Sequence, residues 1–457
     1  MFRRIQDLLT SEPGTLIKAD AAFTSMRQAS GFHHEGRAYP VALQPFVLES
    51  EWADTAKVAS EGLHRVLERV ADLYLEDEAV RRFFANYRHA ERWLTAPQRV
   101  RPCAGVCRLD GVFINGSYRI METNTCCPGG VIKVGAQFSL WQSVMADILK
   151  IEPPDAGGQP FVTDPMLFVK HLIKMHQLQF GRLPTGAAVI SLNGRYMNEV
   201  DLTVKGLLQF GIPARHLDAK ELRRAGCGKV LGKGFEVTLA YHKLDQLELI
   251  TTSECFEYLD AGAAGEVCFL NHLLSQCVLE DKSVLALISD PRFAGRFTVD
   301  DQEIIKRHVP WTRVLATGKT TDPEGALINL CEYVINHRKQ LVVKSCNLTR
   351  GEDITIGAFV GKDHWDALVS KAIHTGNHVV QQYLPLPKMP VIIGTPPQFV
   401  DMVYELDTYL INGMFAGFLC RASLDPVVNV GRSGIMVPVL ITPALGRVLD
   451  SPCVRKG

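Results

Sequence analysis

The segment from Val106 to Asn124 constrains the fold more than any other stretch of the chain. Val106 to Leu109 and Val112 to Ile114 are short apolar runs, Asn115-Gly116 is a two-residue turn, and Tyr118 to Met121 is a second apolar run. That pattern predicts a β-hairpin over 106–122. Residues two apart on a strand share a face. Arg108 and Asp110 therefore lie together on the first arm, Glu122 and Asn124 lie together beyond the second, and the turn brings all four into one group. Two carboxylates and an amide oxygen are hard oxygen ligands, suited to Mg2+ shared with nucleotide phosphates. Arg108 adds a guanidinium able to grip an anion with two N–H groups. The alternative is an exposed polar hairpin whose Arg and Asp pair with each other.

Two other strand ends carry polar groups. Leu341 to Val343 lead into Lys344, followed by the polar stretch Ser345 to Arg350 and by Gly351 and Gly357. A glycine-containing loop can fold over phosphates while a lysine supplies a point charge. A lysine laying its stem over apolar surface explains the same residues. The G-x4-G-K-[ST] pattern of a Walker A loop is absent. Val379-Val380 runs into Gln381-Gln382-Tyr383-Leu384-Pro385, which suits a hinge whose backbone amides read an adenine edge. A buried strand end fits equally.

Around these segments the pattern predicts helix over 57–94 and 136–150, and a linker at 151–165, rich in Pro and Gly. A strand at Ala187 to Leu192, a helix over 196–210 and a strand near His216 make a strand–helix–strand unit of Rossmann-like size, without G-x-G-x-x-G. Buried strands follow at 235–241 and 267–270. Helices are expected at 281–289, 301–308 and 364–374, strands at 379–383 and 400–406, and a hairpin over 407–418 turned at Asn412-Gly413. The 457 residues, 47% of them hydrophobic, leave room for two or three domains. Net charge is zero, so no global field draws in nucleic acid or anionic lipid. No export signal and no long apolar span is found, which leads us to expect a cytosolic protein without membrane segments. Its 12 cysteines, irregularly spaced, should be reduced and mostly buried. His33-His34-Glu35 is a poor metal cluster, because neighbouring residues on one element point apart.

The order of these pieces resembles the ATP-grasp superfamily. D-alanine–D-alanine ligase and glutathione synthetase carry a similar succession. Here it runs from Asp281-Lys282 through His308-Val309-Pro310-Trp311-Thr312 to Leu341-Val342-Val343-Lys344, the glycine-containing loop, and Gln381-Gln382-Tyr383-Leu384. A hairpin at 407–417 follows, then Arg421 and the turn Asn429-Val430-Gly431-Arg432-Ser433-Gly434. The Arg-x-Asp and Glu-x-Asn strands that normally come next lie instead at 108–124. The chain thus looks like a circularly permuted ATP-grasp protein, and glutathionylspermidine synthase shares the arrangement of an early Arg-x-Asp…Glu-x-Asn and late lysines. It departs from the pattern where Lys344 precedes Ser345 rather than Pro, where the loop is poor in glycine, and where no carboxylate follows the hinge.

The resemblance implies an α+β protein: an ATP-grasp fold in permuted order with a Rossmann-like domain. Residues 1–150 would be the permuted C-terminal part of the core and 166–275 the Rossmann-like substrate domain. Residues 276–384 would form the nucleotide-binding and lid subdomain, and 385–457 would complete the core sheet. It implies an ADP-releasing carbon–nitrogen ligase acting through an acyl phosphate, with ATP as co-substrate and two Mg2+ ions. Asp110, Glu122 and Asn124 would hold the metal, Lys282, Lys344, Arg350 and Gly351 the phosphates, and Gln381, Gln382, Tyr383 and Leu384 the adenine. Arg108 and Arg421 would face the transferring phosphoryl group. Arg195, Tyr196, Glu199 and Asn429 are weaker candidates for the substrate side. The partners implied are a small carboxylate and a small amine, with a homodimer as one assembly. A carrier-protein thiol as acceptor, or a non-catalytic ATP-binding protein, are the competing readings.

Overall fold

The computed structural model describes residues 5–443, except 6, 9–10, 35–36, 153–156, 349–352, 395–396 and 432. Its centre is a six-stranded antiparallel sheet. The strands Ile435–Val437, Met414–Ser423, Gln398–Ile411, Val106–Ile114 and Ser117–Asn124 lie side by side in that order, and Lys388–Ile393 also pairs with Gln398–Ile411. The hairpin is therefore built into a sheet whose other strands come from the far end of the chain, with Leu109 opposite Thr408.

Alternation gives this sheet two unlike faces. Leu109, Ile120, Leu406, Leu410, Phe418 and Cys420 point one way and pack on the long helix Ser50–Glu76 through Leu63, Val66, Leu67 and Val70. The residues between them, mostly charged, point the other way. The helix stops at Asp77, which turns extended and accepts a hydrogen bond from the Ala79 amide at 2.7 Å. A side-chain acceptor there caps a new helix start. The helical region expected over 57–94 is thus broken into Ser50–Glu76, Glu78–Phe83 and shorter turns.

Two other sheets flank the centre. Cys268–Leu270, Leu239–His242, Ala187–Ser191 and Ala214–Asp218 form a four-stranded parallel sheet, with the helix Met197–Gln209 joining the last two strands. Thr312–Val314, His378–Gln382, Leu341–Ser345 and Ile354–Ile356 form a four-stranded antiparallel sheet. One face of the latter packs Leu341, Val343 and Val380 under Trp311, Val334, Trp365 and Val369. The stretch expected as a linker is part of the packing instead. It holds a short helix, Pro160–Thr163, with Phe161 and Val162 buried. Gln159 donates to the Val439 carbonyl at 2.9 Å and accepts from the Phe418 amide at 3.2 Å. No helix among the described residues is long and apolar enough to cross a membrane. The described cysteines are all free thiols, and only Cys127 and Cys331 among them are not buried.

Candidate active site

The polar face of the central sheet, the inner face of the antiparallel sheet and the loop 127–133 enclose a cavity of about 700 Å3. On the central sheet the register sets Arg108 opposite Asn124 and Tyr409, Asp110 opposite Glu122, and Glu405 opposite Arg421. The register slips directly after Asp110. Glycine is needed at the next position, because a Cβ on Gly111 would lie 2.4 Å from the Tyr118 hydroxyl. That hydroxyl donates to the Leu406 carbonyl at 2.7 Å and ties the hairpin to the long strand.

Arg108 donates from Nε and Nη2 to the two Asp110 oxygens, at 2.7 and 3.1 Å. It also donates to Asn124 Oδ1 at 3.2 Å and to the Gly129 carbonyl at 3.1 Å. Its fork is thus engaged within the protein, the pairing that the sequence left as the alternative to an anion clamp. Arg421 Nη2 donates to Asp110 and to Glu405, each at 2.8 Å, while its Nε lies 2.7 Å from Asp407. Carboxyl oxygens of Asp110, Glu405 and Asp407 all lie within 4.8 Å of one another.

The charges in this cluster are unequal. Burial opposes ionisation of Asp110, but Arg108 and Arg421 more than offset it and hold the carboxyl down at about 2. Burial pushes Glu405 up to about 8 and Asp407 up to about 7, with Arg421 only partly offsetting it. Asp407 Oδ1 is buried with no hydrogen-bond partner among the described residues. Three close carboxyls, two guanidiniums and an unsatisfied oxygen leave room for more positive charge, so the donor set fits a hard divalent cation.

Across the cavity, Lys344 donates to Gln381 Oε1 at 2.8 Å, and burial lowers its ammonium below the ordinary lysine range. Lys282 donates to the Leu348 carbonyl at 2.7 Å and pairs with Glu122 at 3.2 Å. Burial works against its charge, yet Glu122 raises it overall. Gln381, Gln382, Tyr383 and Leu384 all line the cavity. The backbone amides of Gln382 and Tyr383, expected to face a base, donate instead to the carbonyls of Trp311 and Gln340, both at 2.8 Å. Strand pairing has absorbed them. Arg350 and Gly351 lie outside the described residues.

The third wall holds the weaker candidates. Glu199 accepts from the Gly130 amide at 3.0 Å and lies 2.6 Å from Lys243 and 3.9 Å from Lys133. Burial opposes its charge, and Lys243 and Lys133 lower it to about 2. Burial brings Lys133 itself down to about 8, Glu199 only partly offsetting it. Tyr196 takes a left-handed backbone at φ 60° and puts its ring 5.7 Å from the Lys243 ammonium. Asn429 lines the cavity and accepts from the Gly431 amide at 2.7 Å. Arg195 is not brought in. The helix begins at Met197, and Arg195 turns to the surface, 3.2 Å from Glu248.

Sequence reasoning missed Glu405, Asp407, Lys133 and Glu280. Glu405-Leu406-Asp407 carried a readable signal, two acids at strand spacing three turns of the pleat from the expected hairpin tip. Nothing local marked Lys133 or Glu280.

No protein-family model matches the sequence, and no curated protein does. Among solved structures, the chain is similar to a glutathione synthetase-like effector from Globodera pallida in its apo form. The TM-score is 0.64 at 13% identity, covering 95% of this chain and 99% of that one. It is more distantly similar to a putative γ-glutamylcysteine synthetase from Methylobacillus flagellatus KT, with a TM-score of 0.42 at 13% identity over 83% and 88% of the two chains. The first likeness spans nearly all of both chains and establishes that this mixed α/β chain shares the fold of that effector. The second is too weak to carry an argument.

Proposed function

We propose that the chain is an ATP-grasp ligase that joins a carboxylate to an amine through an acyl phosphate, releasing ADP and phosphate. The observation that carries this reading is the convergence on one cavity of Asp110, Glu122, Asn124, Glu405 and Arg421 from the central sheet and of Lys344 from the facing side, with Lys282 joined to the group through Glu122 at 3.2 Å. Phosphoryl transfer asks the protein mainly to position groups and to neutralise charge. Lys282 and Lys344 supply positive charge to the phosphates. Gln381 to Leu384 seat the adenine by side-chain contact. Asp110, Glu122 and Asn124, joined by Glu405 and Asp407, would hold Mg2+, which when bound offsets the phosphate charge. Arg108 and Arg421 hold Asp110 ionised and line the cavity in which the transferring group would sit. Tyr196, Glu199 and Asn429 border the substrate side. The fold likeness supports the reading, since glutathione synthetase is among the ligases whose motif succession the sequence resembles. The place of the hairpin beside Gln398–Ile411, one strand from Arg421, supports a permuted order. In that order residues 1–150 and 385–457 share the core sheet, 276–384 form the nucleotide and lid part, and 166–275 form the substrate domain.

The test is ADP release from Mg·ATP with pools of amino acids, followed by transfer of 18O from a labelled carboxylate into phosphate. Label in phosphate supports the reading. Release of AMP and pyrophosphate overturns the mechanism, and turnover only with a phosphopantetheine carrier moves the acceptor from an amine to a protein thiol.

A further inference from the structure

An amine acceptor reaches a site at neutral pH as an ammonium, without the lone pair that must attack the acyl carbon. Something in the cavity has to take a proton first. The carboxylates of the central sheet are poorly suited to it. Asp110 is locked between two guanidiniums, and Glu122 is paired with Lys282. Glu199 is held by Lys243 and the Gly130 amide.

Glu405, also on the wall, accepts from Arg421 at 2.8 Å, which leaves Glu280 as the lining acid without an ion pair among the described residues. Glu280 directly follows a π-helical turn, Ser275–Leu279, a rare geometry found disproportionately at functional sites. The amides of Thr125 and Cys126 donate to its Oε2, the latter at 2.8 Å, and fix the carboxyl against the segment that leaves Asn124. Both bonds land on one oxygen, and Oε1 is the one left to meet a ligand. Two residues on, Lys282 reaches toward the phosphate side. Beyond Cys126 and Cys127 the chain runs to the wall of Lys133, Glu199 and Lys243. Glu280 therefore stands where the activated carboxylate and its acceptor must meet. We propose that Glu280 is the general base that receives the proton of the acceptor ammonium, an inference that rests on the ligase reading above.

In the step, the N–H bond of the ammonium breaks to Glu280 Oε1 and leaves the pair on nitrogen. That pair forms the C–N bond at the acyl carbon, and the C–O bond to phosphorus-bound oxygen breaks with its electrons on phosphate. The second nitrogen proton leaves with the phosphate. The titratable and charged groups around Glu280 are Asp281 and Lys282 on its own segment, Cys126 and Cys127 from the loop, Cys107 from the hairpin, and Cys277 from the preceding turn. Burial first, and Cys127 second, raise the carboxyl to about 8, close to the range of the amine it would serve.

The discriminating variant is Glu280→Gln, whose amide oxygen still accepts from Thr125 and Cys126 but cannot take the proton. The probe is the amino-acid pool with Mg·ATP, with hydroxylamine, unprotonated at neutral pH, as an alternative acceptor. The expected result is a fall of about 100-fold or more in the ratio of amide to hydroxamate formed. The wild-type ratio rises with pH to a plateau, whereas the variant ratio rises only at the higher pH where the free amine itself forms. An unchanged ratio, including the case in which both products fall together, overturns the assignment and leaves Glu280 as a structural anchor. A wild-type chain that forms neither product with any acceptor overturns the ligase reading, and this inference with it. Thermal melting of Glu280→Gln near the wild-type value separates loss of chemistry from loss of fold, and Glu280→Ala, which also drops the two amide bonds, reports what the anchor alone contributes.

Discussion

Arg421 and Asp110 meet at 2.8 Å although they stand 311 positions apart in the chain. Arg421 also serves Glu405 and Asp407, so one guanidinium is shared by two buried carboxyls and a half-buried one. Replacing Arg421 with Met strands those charges. Removing one partner of a buried pair typically costs about 3–5 kcal/mol, and urea unfolding should report a loss of that size. A loss of a few tenths would mean that the cluster is held by something else.

Glu122→Gln should abolish ADP release from Mg·ATP while the melting temperature changes little. Glu122 pairs with Lys282 at a partly exposed position, so the structural loss is small. Wild-type turnover in this variant would remove Glu122 from the metal site.

Lys344→Met and Lys282→Met should each weaken nucleotide binding in titration calorimetry, since a phosphate charge loses its partner. The Lys344 ammonium sits below the ordinary lysine range because of burial. It therefore gives up its proton earlier on an alkaline titration, and affinity should decline at pH values where an exposed lysine would still be charged. Unchanged affinity in both variants would return Lys344 to a strand-end role.

Stability should fall as pH rises from the ordinary carboxylate range to about 8. Glu405 and Asp407 have folded values raised to about 8 and about 7. In that window the folded state holds more protons than the unfolded state, so each added pH unit favours unfolding. The contribution is complete below the unfolded values and gone above the folded ones. Glu405→Gln should flatten the slope of urea midpoint against pH, and a slope identical to wild type would refute the linkage.

Cys127 should be the first of the described cysteines to react with iodoacetamide at neutral pH, read by mass spectrometry. Its hydrogen bond with Cys126 lowers the thiol to about 7, and the thiolate is the reactive form. It lines the cavity, so ATP and Mg2+ should slow the reaction. Labelling at Cys331 ahead of Cys127 would contradict this.

Local pattern carried the sequence reading far at the hairpin. Asn115-Gly116 marks the turn, and two-residue alternation puts Arg108, Asp110, Glu122 and Asn124 on one face, as the register has them. Strand ends at Lys344 and Gln381 were legible for the same reason. Other parts depend on contacts that no local window contains. Glu199 gains its meaning from Lys243 and Lys133, which come from separate loops. Asp407 gains its own from Arg108 and Arg421 on neighbouring strands. Arg195 misled because a left-handed Tyr196 delays the helix start and turns the preceding side chain outward. The linker misled because Pro and Gly mark a change of direction, whether or not the segment is packed.

The place of the hairpin also sets an order of events during synthesis. Val106–Ile114 is made first, yet its second neighbour in the sheet, Gln398–Ile411, follows only after a long stretch of chain. Until then the early strand shows an open edge, and the helix Ser50–Glu76 has only part of the apolar surface it finally covers. Such an edge invites pairing with other chains, and closing so long a loop slows folding. The growing chain must therefore keep its first strands sheltered while several hundred residues follow, so that a ribosome stalled before residue 398 would release a product with an unfinished core and an adhesive border.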